Sequence, residues 1–111
     1  MRIKTIGFLL AMGIAFYAGA QSPAADLSNR IARRMKDTLQ LSDSQKNAIY
    51  AINMQLHAQK MSARQQYSAG DSLQYHIQRI ENTRDALYGT VLSPEKYLLY
   101  LEKKKNLVSS N

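Results

Sequence analysis

The 111-residue chain has no cysteine and no tryptophan, and beyond residue 20 it carries proline only at 23 and 94 and glycine only at 70 and 89. The absence of cysteine excludes disulfides, thiolate metal sites, cysteine nucleophiles and lipid anchoring through an N-terminal Cys. With so few breakers, a region rich in Ala, Leu, Gln, Lys, Arg and Met is left free to run as helix. Acids are also scarce. Eight Asp and Glu against fifteen Lys and Arg give a net charge of +7, which favours anionic partners. His57 and His76 lack an i,i+4 metal-binding partner, and there is no phosphate-cradling loop or nucleophile-elbow serine. The sequence therefore predicts neither an enzyme nor a bound metal or cofactor.

Arg2 and Lys4 precede an uncharged, mostly apolar run from Ile6 to Ala18, and Ala18-Gly19-Ala20 has the small-x-small pattern of a signal-peptidase site. Residues 1-20 are expected to be a cleaved export leader, cut after Ala20, and residues 21-111 a single helical domain with a short frayed tail. Later apolar runs fall short of the roughly 20 residues a membrane helix needs, so no stable membrane insertion is expected after cleavage. Removing Arg2 and Lys4 leaves +5 on the exported part. Export argues against nucleic acid, and no recognition helix, RNP-like aromatic motif or zinc finger is present. About 90 residues without disulfides make only a small core. A second copy could cover helix faces that one copy leaves wet, and a homodimer is expected.

Apolar spacing predicts an all-α chain of about four helices in a hairpin-like bundle. The first runs from about Ala24 to Gln40, with Leu27, Ile31, Met35 and Leu39 as one stripe. The second continues to about Ser68. The third, capped by Asp71 or Ser72, runs to about Tyr88 and is ended by Gly89, and the fourth fades after Lys105.

The starts of the second and fourth helices carry the same phrase in two forms, Leu41-Ser42-Asp43-Ser44-Gln45 and Leu92-Ser93-Pro94-Glu95-Lys96. In each an apolar residue precedes a serine N-cap, and acids or proline fill the first turn, where they suit the free N–H groups and the dipole. Gln45 stands at N3, where its side chain can accept from the Ser42 N–H and complete a capping box. Lys96 takes that place in the second copy and has no acceptor to offer.

Several residues await a partner. On the second helix Ile49, Ile52, Leu56, Ala63 and Tyr67 share one sector, while Tyr50, Met54 and Met61 lie roughly 120–140° away at 100° per residue. The second stripe could be core, dimer seam or a surface for binding other proteins, to which the adaptable Met and amphipathic Tyr are suited. Arg84 interrupts the third helix's stripe of Leu73, Ile77, Ile80, Leu87 and Val91. Its stem could pack on the core while its head finds an acid, or it could face a partner. Tyr50, Met54 and Met61, with Arg33, Arg34, Lys60, Arg64 and Arg84, make up the candidate client or dimer surface.

The leader, the basic Cys-free helical chain and the two phrases about fifty residues apart resemble the Spy/CpxP group of periplasmic proteins, the LTXXQ-motif family, over roughly residues 38 to 105. The first copy matches with Ser for Thr, and the second departs at Lys96. The motif residues Leu41, Ser42, Gln45, Leu92, Ser93 and Pro94 carry over as structural positions. The resemblance implies a cradle-shaped antiparallel homodimer in the periplasm of a Gram-negative bacterium. It also implies an ATP-independent chaperone or stress-response protein that binds unfolded or misfolded envelope proteins. The alternative is a regulatory or structural protein binding one partner, such as a stress sensor. A third possibility is a basic helical protein resting on anionic membrane surface.

Overall fold

Serine caps, two of them followed by proline, fix where the first, second and fourth helices begin. In this computed structural model, which describes residues 22–108, four helices follow one another: α1 (Pro23–Leu39), α2 (Asp43–Gln66), α3 (Asp71–Gly89) and α4 (Pro94–Leu107), with no strand among the described residues. The described part of the chain is all-α with four helices, as the apolar spacing predicts. The expected leader at residues 1–20 and the end of the expected tail lie outside the described residues. Ser22, Ser42 and Ser93 are N-caps, their hydroxyls accepting from the backbone N–H of Ala25 at 3.0 Å, Gln45 at 3.0 Å and Lys96 at 3.3 Å. Pro23 and Pro94 occupy the first turns of α1 and α4.

The start of α3 differs from expectation. Its N-cap is Gly70, with φ 127° and ψ −161° and no side-chain hydrogen bond, and Asp71 is already inside the helix. That backbone conformation is essentially closed to other residues, so the tight reversal after α2 needs glycine and the polar cap gives way to it. Asp71 still places a negative charge at the dipole's positive end.

The two repeated phrases meet in space. Gln40 adopts the left-handed conformation (φ 57°, ψ 58°), and the Leu41 N–H returns to the Lys36 carbonyl at 3.1 Å, closing α1 in a Schellman-like turn. Gln45 completes the capping box by accepting from the Ser42 N–H at 3.0 Å, and its Nε2 donates to the Val91 carbonyl at 3.2 Å. Lys96, which cannot accept, sends its ammonium to the Gln40 carbonyl. The last residue of each phrase thus holds the carbonyl just ahead of the other phrase. Leu41 and Leu92, 5% and 6% exposed, enter one core cluster with Ile31, Met35, Leu39, Ile49, Tyr88 and Tyr100.

Around that core the helices form a ring, α2 packing on α1 and α3, and α4 on α1 and α3. The α1 stripe is buried as expected at Ile31, Met35 and Leu39, with Leu27 at its edge. On α3 the face differs: Leu73, Ile77, Ile80 and Leu87 are only half-buried, and Arg84 and Tyr88 are the buried residues. The ring is uneven in height. Asn53 of α2 bonds the Ser28 carbonyl of α1, so the five residues before Ser28 reach only to about the level of His57 or Ala58. Lys104 meets Asp85, so α4 ends near the level of Asn82. Beyond those levels α2 and α3 continue as a hairpin whose two helices, among the described residues, have only each other to pack against.

Gln45→Ala removes both the cap acceptor and the bond to Val91 and should lower stability by about 1–2 kcal/mol in urea unfolding. Gln45→Glu keeps the acceptor, loses the donor, and should fall between this variant and wild type. Wild-type stability in Gln45→Ala would show that the exchange between the phrases contributes nothing.

Candidate functional site

Arg84 occupies the middle of the buried polar layer. Its residue is 8% exposed, and its fork grips Glu81 with both arms, Nε to Oε1 at 3.0 Å and Nη2 to Oε2 at 3.2 Å. Nη1 donates to Asn53 Oδ1 at 3.0 Å and to the Tyr88 hydroxyl at 2.9 Å, while that hydroxyl itself donates to Asn53 Oδ1. Asn53 Nδ2 then reaches the Ser28 carbonyl at 3.1 Å. The guanidinium carbon also lies 5.7 Å from the centre of the Tyr88 ring. Of the two readings of Arg84 from sequence, the structure takes the one in which the head finds an acid. The residue is engaged within the chain and not on its open surface.

Charges next to this layer respond to it. Lys60 contacts Glu81, and burial, followed by the positive charges of Arg84 and Arg64, draws its ammonium down to about 8. The ion pair with Glu81 acts in the opposite direction. Burial raises the Tyr88 hydroxyl. Asp85 receives the Tyr100 hydroxyl at 2.7 Å and Lys104 Nζ at 2.8 Å. Burial pushes that carboxyl up, but the bonds from Lys104 and Tyr100 outweigh it and hold the group below the usual carboxylate range. Donors and acceptors in the layer consume one another, so its chemistry is to lock α1, α2, α3 and α4 in register.

The open surface is on the projecting hairpin. Met61 is 43% exposed and Tyr75 59%. The Tyr67 and His76 rings stack at 3.9 Å with 15° between their planes, and Tyr75 meets His76 edge-on at 5.4 Å. The Arg79 guanidinium sits 5.8 Å above the Tyr75 ring, and Arg64 Nη1 points at Met61 Sδ from 3.8 Å. No acid pairs with Arg64 or Arg79 among the described residues. Beside them a shallow depression of about 230 Å³ is lined by Gln59, His76, Arg79, Ile80 and Thr83.

The sequence candidates divide between these places. Lys60 and Arg84 come together through Glu81, and Met61 lies against Arg64. Tyr50 and Met54 are half-buried, Tyr50 against the main core, so the second stripe of α2 is part core and part surface. Arg33 and Arg34 belong to α1, where they line a separate depression of about 280 Å³ with Arg30 and Asp37, and Arg34 Nη1 donates to the Asn106 carbonyl at 3.1 Å near the end of α4. Sequence reasoning missed Asn53 and Tyr88 in the layer and Tyr75, His76 and Arg79 on the hairpin. Asn53 left a signal, a polar residue inside the sector of Ile49, Ile52 and Leu56. Tyr75 and Arg79 left another, an aromatic and a cation one turn apart.

Among the described residues no three His, Asp or Glu side chains group to hold a metal, and no helix is long and apolar enough to cross a membrane. The chain matches no family model, no curated protein and no solved structure.

Asp85 makes acid sensitivity testable. Its folded pKa lies below the unfolded value, so the unfolded chain binds more protons between the two, and stability falls as pH drops through that window, below about 4. Urea midpoints between neutral pH and pH 3 should fall less steeply for Asp85→Asn than for wild type. Parallel curves would show that Asp85 contributes no pH dependence.

Proposed function

We propose that the protein is an ATP-independent, chaperone-like protein of the Spy/CpxP kind, exported to the periplasm, that holds unfolded or misfolded proteins as a cradle-shaped homodimer. The observation that carries this reading is the projecting hairpin, where Met61, Tyr67 and Tyr75 offer apolar and aromatic area beside Arg64 and Arg79, which pair with no acid among the described residues. Cations without acids attract anionic, solvent-exposed chain at long range, and Met and Tyr then adapt to side chains of many shapes. Such contacts are individually weak and need no nucleotide to release. Support from sequence comes from the leader-like start and the paired Leu-Ser phrases.

Light scattering by an unfolded model protein should fall when the purified protein is added in near-stoichiometric amount without ATP, and the effect should weaken with salt. Met61→Ser with Tyr75→Ser should lose much of it while keeping helical circular dichroism, since both positions are exposed. Undiminished scattering with wild-type protein would refute the reading. One dominant crosslinked partner from envelope extract, in place of a broad range, would favour a regulatory protein.

A further inference from the structure

His57 has no second histidine or carboxylate one turn away on α2. What stands there on either side is thioether sulfur, with Met54 three residues before it and Met61 four residues after. At 100° per residue the three positions fall within about 60° of one another, on one side of the helix. Their exposure is graded. Met54 and His57 are half-buried, and Met61 is open just past the level to which the first turn of α1 reaches. The His57 imidazole makes no hydrogen bond, ion pair or ring contact among the described residues, which leaves its ring nitrogens available. His76, in contrast, is engaged by the Tyr67 and Tyr75 rings.

We infer that Met54, His57 and Met61 form a binding site for a soft monovalent metal ion, copper(I) or its air-stable analogue silver(I), with two thioether sulfurs and one imidazole nitrogen as ligands. The donor set selects the ion. Thioether is a poor ligand for hard cations and a good one for copper(I), and imidazole also suits copper. From Tyr50 to Arg64 the helix carries no acid, so magnesium, calcium and manganese find no carboxylate there. Zinc finds only one of its usual donors, His57. A single positive charge also suits a chain of net charge +7 better than a divalent ion would. Reach permits the set. Along the axis His57 lies about 4.5 Å from Met54 and about 6 Å from Met61. Helical side chains lean back over the preceding turn, which brings Met61 toward His57, and three rotatable bonds let Met54 turn its sulfur to meet them. Arg64 is the competing group, its Nη1 pointing at Met61 Sδ from 3.8 Å. Thioether sulfur is a weak acceptor, so an ion displaces that contact at little cost. Ligation here needs no client, and the site therefore goes beyond the holding function.

Silver nitrate titrated into the purified protein in chloride-free buffer should shift the NMR signals of the Met54 and Met61 methyl groups and the His57 ring, saturate at one equivalent, and leave the fully buried Met35 unmoved. Copper(I), added without oxygen, should compete with silver for the same signals, and zinc at equal concentration should displace none of it. Met54→Leu, Met61→Leu and His57→Gln should each weaken silver binding roughly tenfold or more while helical circular dichroism is retained. Leucine keeps the apolar volume of methionine, so a loss in Met61→Leu is a loss of sulfur. Unchanged affinity in Met61→Leu, shifts confined to Met35 or His76, or zinc bound as tightly as silver would each overturn the site. A protein that suppresses aggregation but binds no silver would remove this site and leave the client reading standing. One that binds silver as described but suppresses nothing would keep the site and remove that reading.

Discussion

The exchange of side chains between the Ser42 and Ser93 corners is the constraint on which the rest of the fold depends. Gln45 and Lys96 each hold a carbonyl at the other corner, so the turns leaving α1 and α3 are tied at one separation. Leu41 and Leu92 thereby enter the same cluster, and α4 is placed where it can close the ring against α1. Each hydrogen bond contributes about 0.5–1.5 kcal/mol net, comparable with the cost of holding Gln40 in the left-handed region. The corner persists because the bonds and the burial of two leucines act together.

Above this corner the core changes character. Ile49 and Tyr100 are packed among apolar side chains, whereas Asn53 faces a guanidinium, a phenol and a backbone carbonyl. Apolar residues of similar volume could match such a layer in stability. Its distinct contribution is register: Asn53 joins α1 to α3 through one side chain, and a shift of either helix by one turn would strand Arg84 beside an unmatched cluster. The main apolar cluster thus ends in a layer that tolerates few alternatives, and beyond it Leu56 and Ala63 of α2 are the buried apolar residues.

Much of this was legible in the sequence because the signals were local. Serine caps, proline at N1 and the α1 stripe act within one or two turns, and the helices begin and end close to the expected places. Asp71 failed as a cap for a reason outside its own neighbourhood, namely that the reversal between α2 and α3 demanded a backbone only Gly70 supplies. The reading of α3 went astray in a similar way. Its leucines and isoleucines marked a plausible face, but a face becomes core only where a third helix covers it, and that depended on the lengths of α1 and α4. The Lys96 mismatch looked like a weakened copy of the first phrase. Its partner is more than fifty residues away in sequence, at Gln40, and no local pattern announces it.

Helix length also explains where the open surfaces lie. With α1 pinned at Ser28 by Asn53, its first residue cannot reach Met61, and α4 stops before it could shield Tyr75. The hairpin's aromatic and cationic side chains are therefore exposed by the same bonds that secure the core. Their exposure is a consequence of where α1 and α4 set their boundaries. On α4 the cause is different. A helix packed on two neighbours with leucine, tyrosine and leucine in succession at 99, 100 and 101 must turn some of that run outward, and Leu98 and Leu101 fall on the face that the described residues leave uncovered. The fold thus leaves one surface rich in rings and cations and another that alternates charge around leucine, and these invite different kinds of contact.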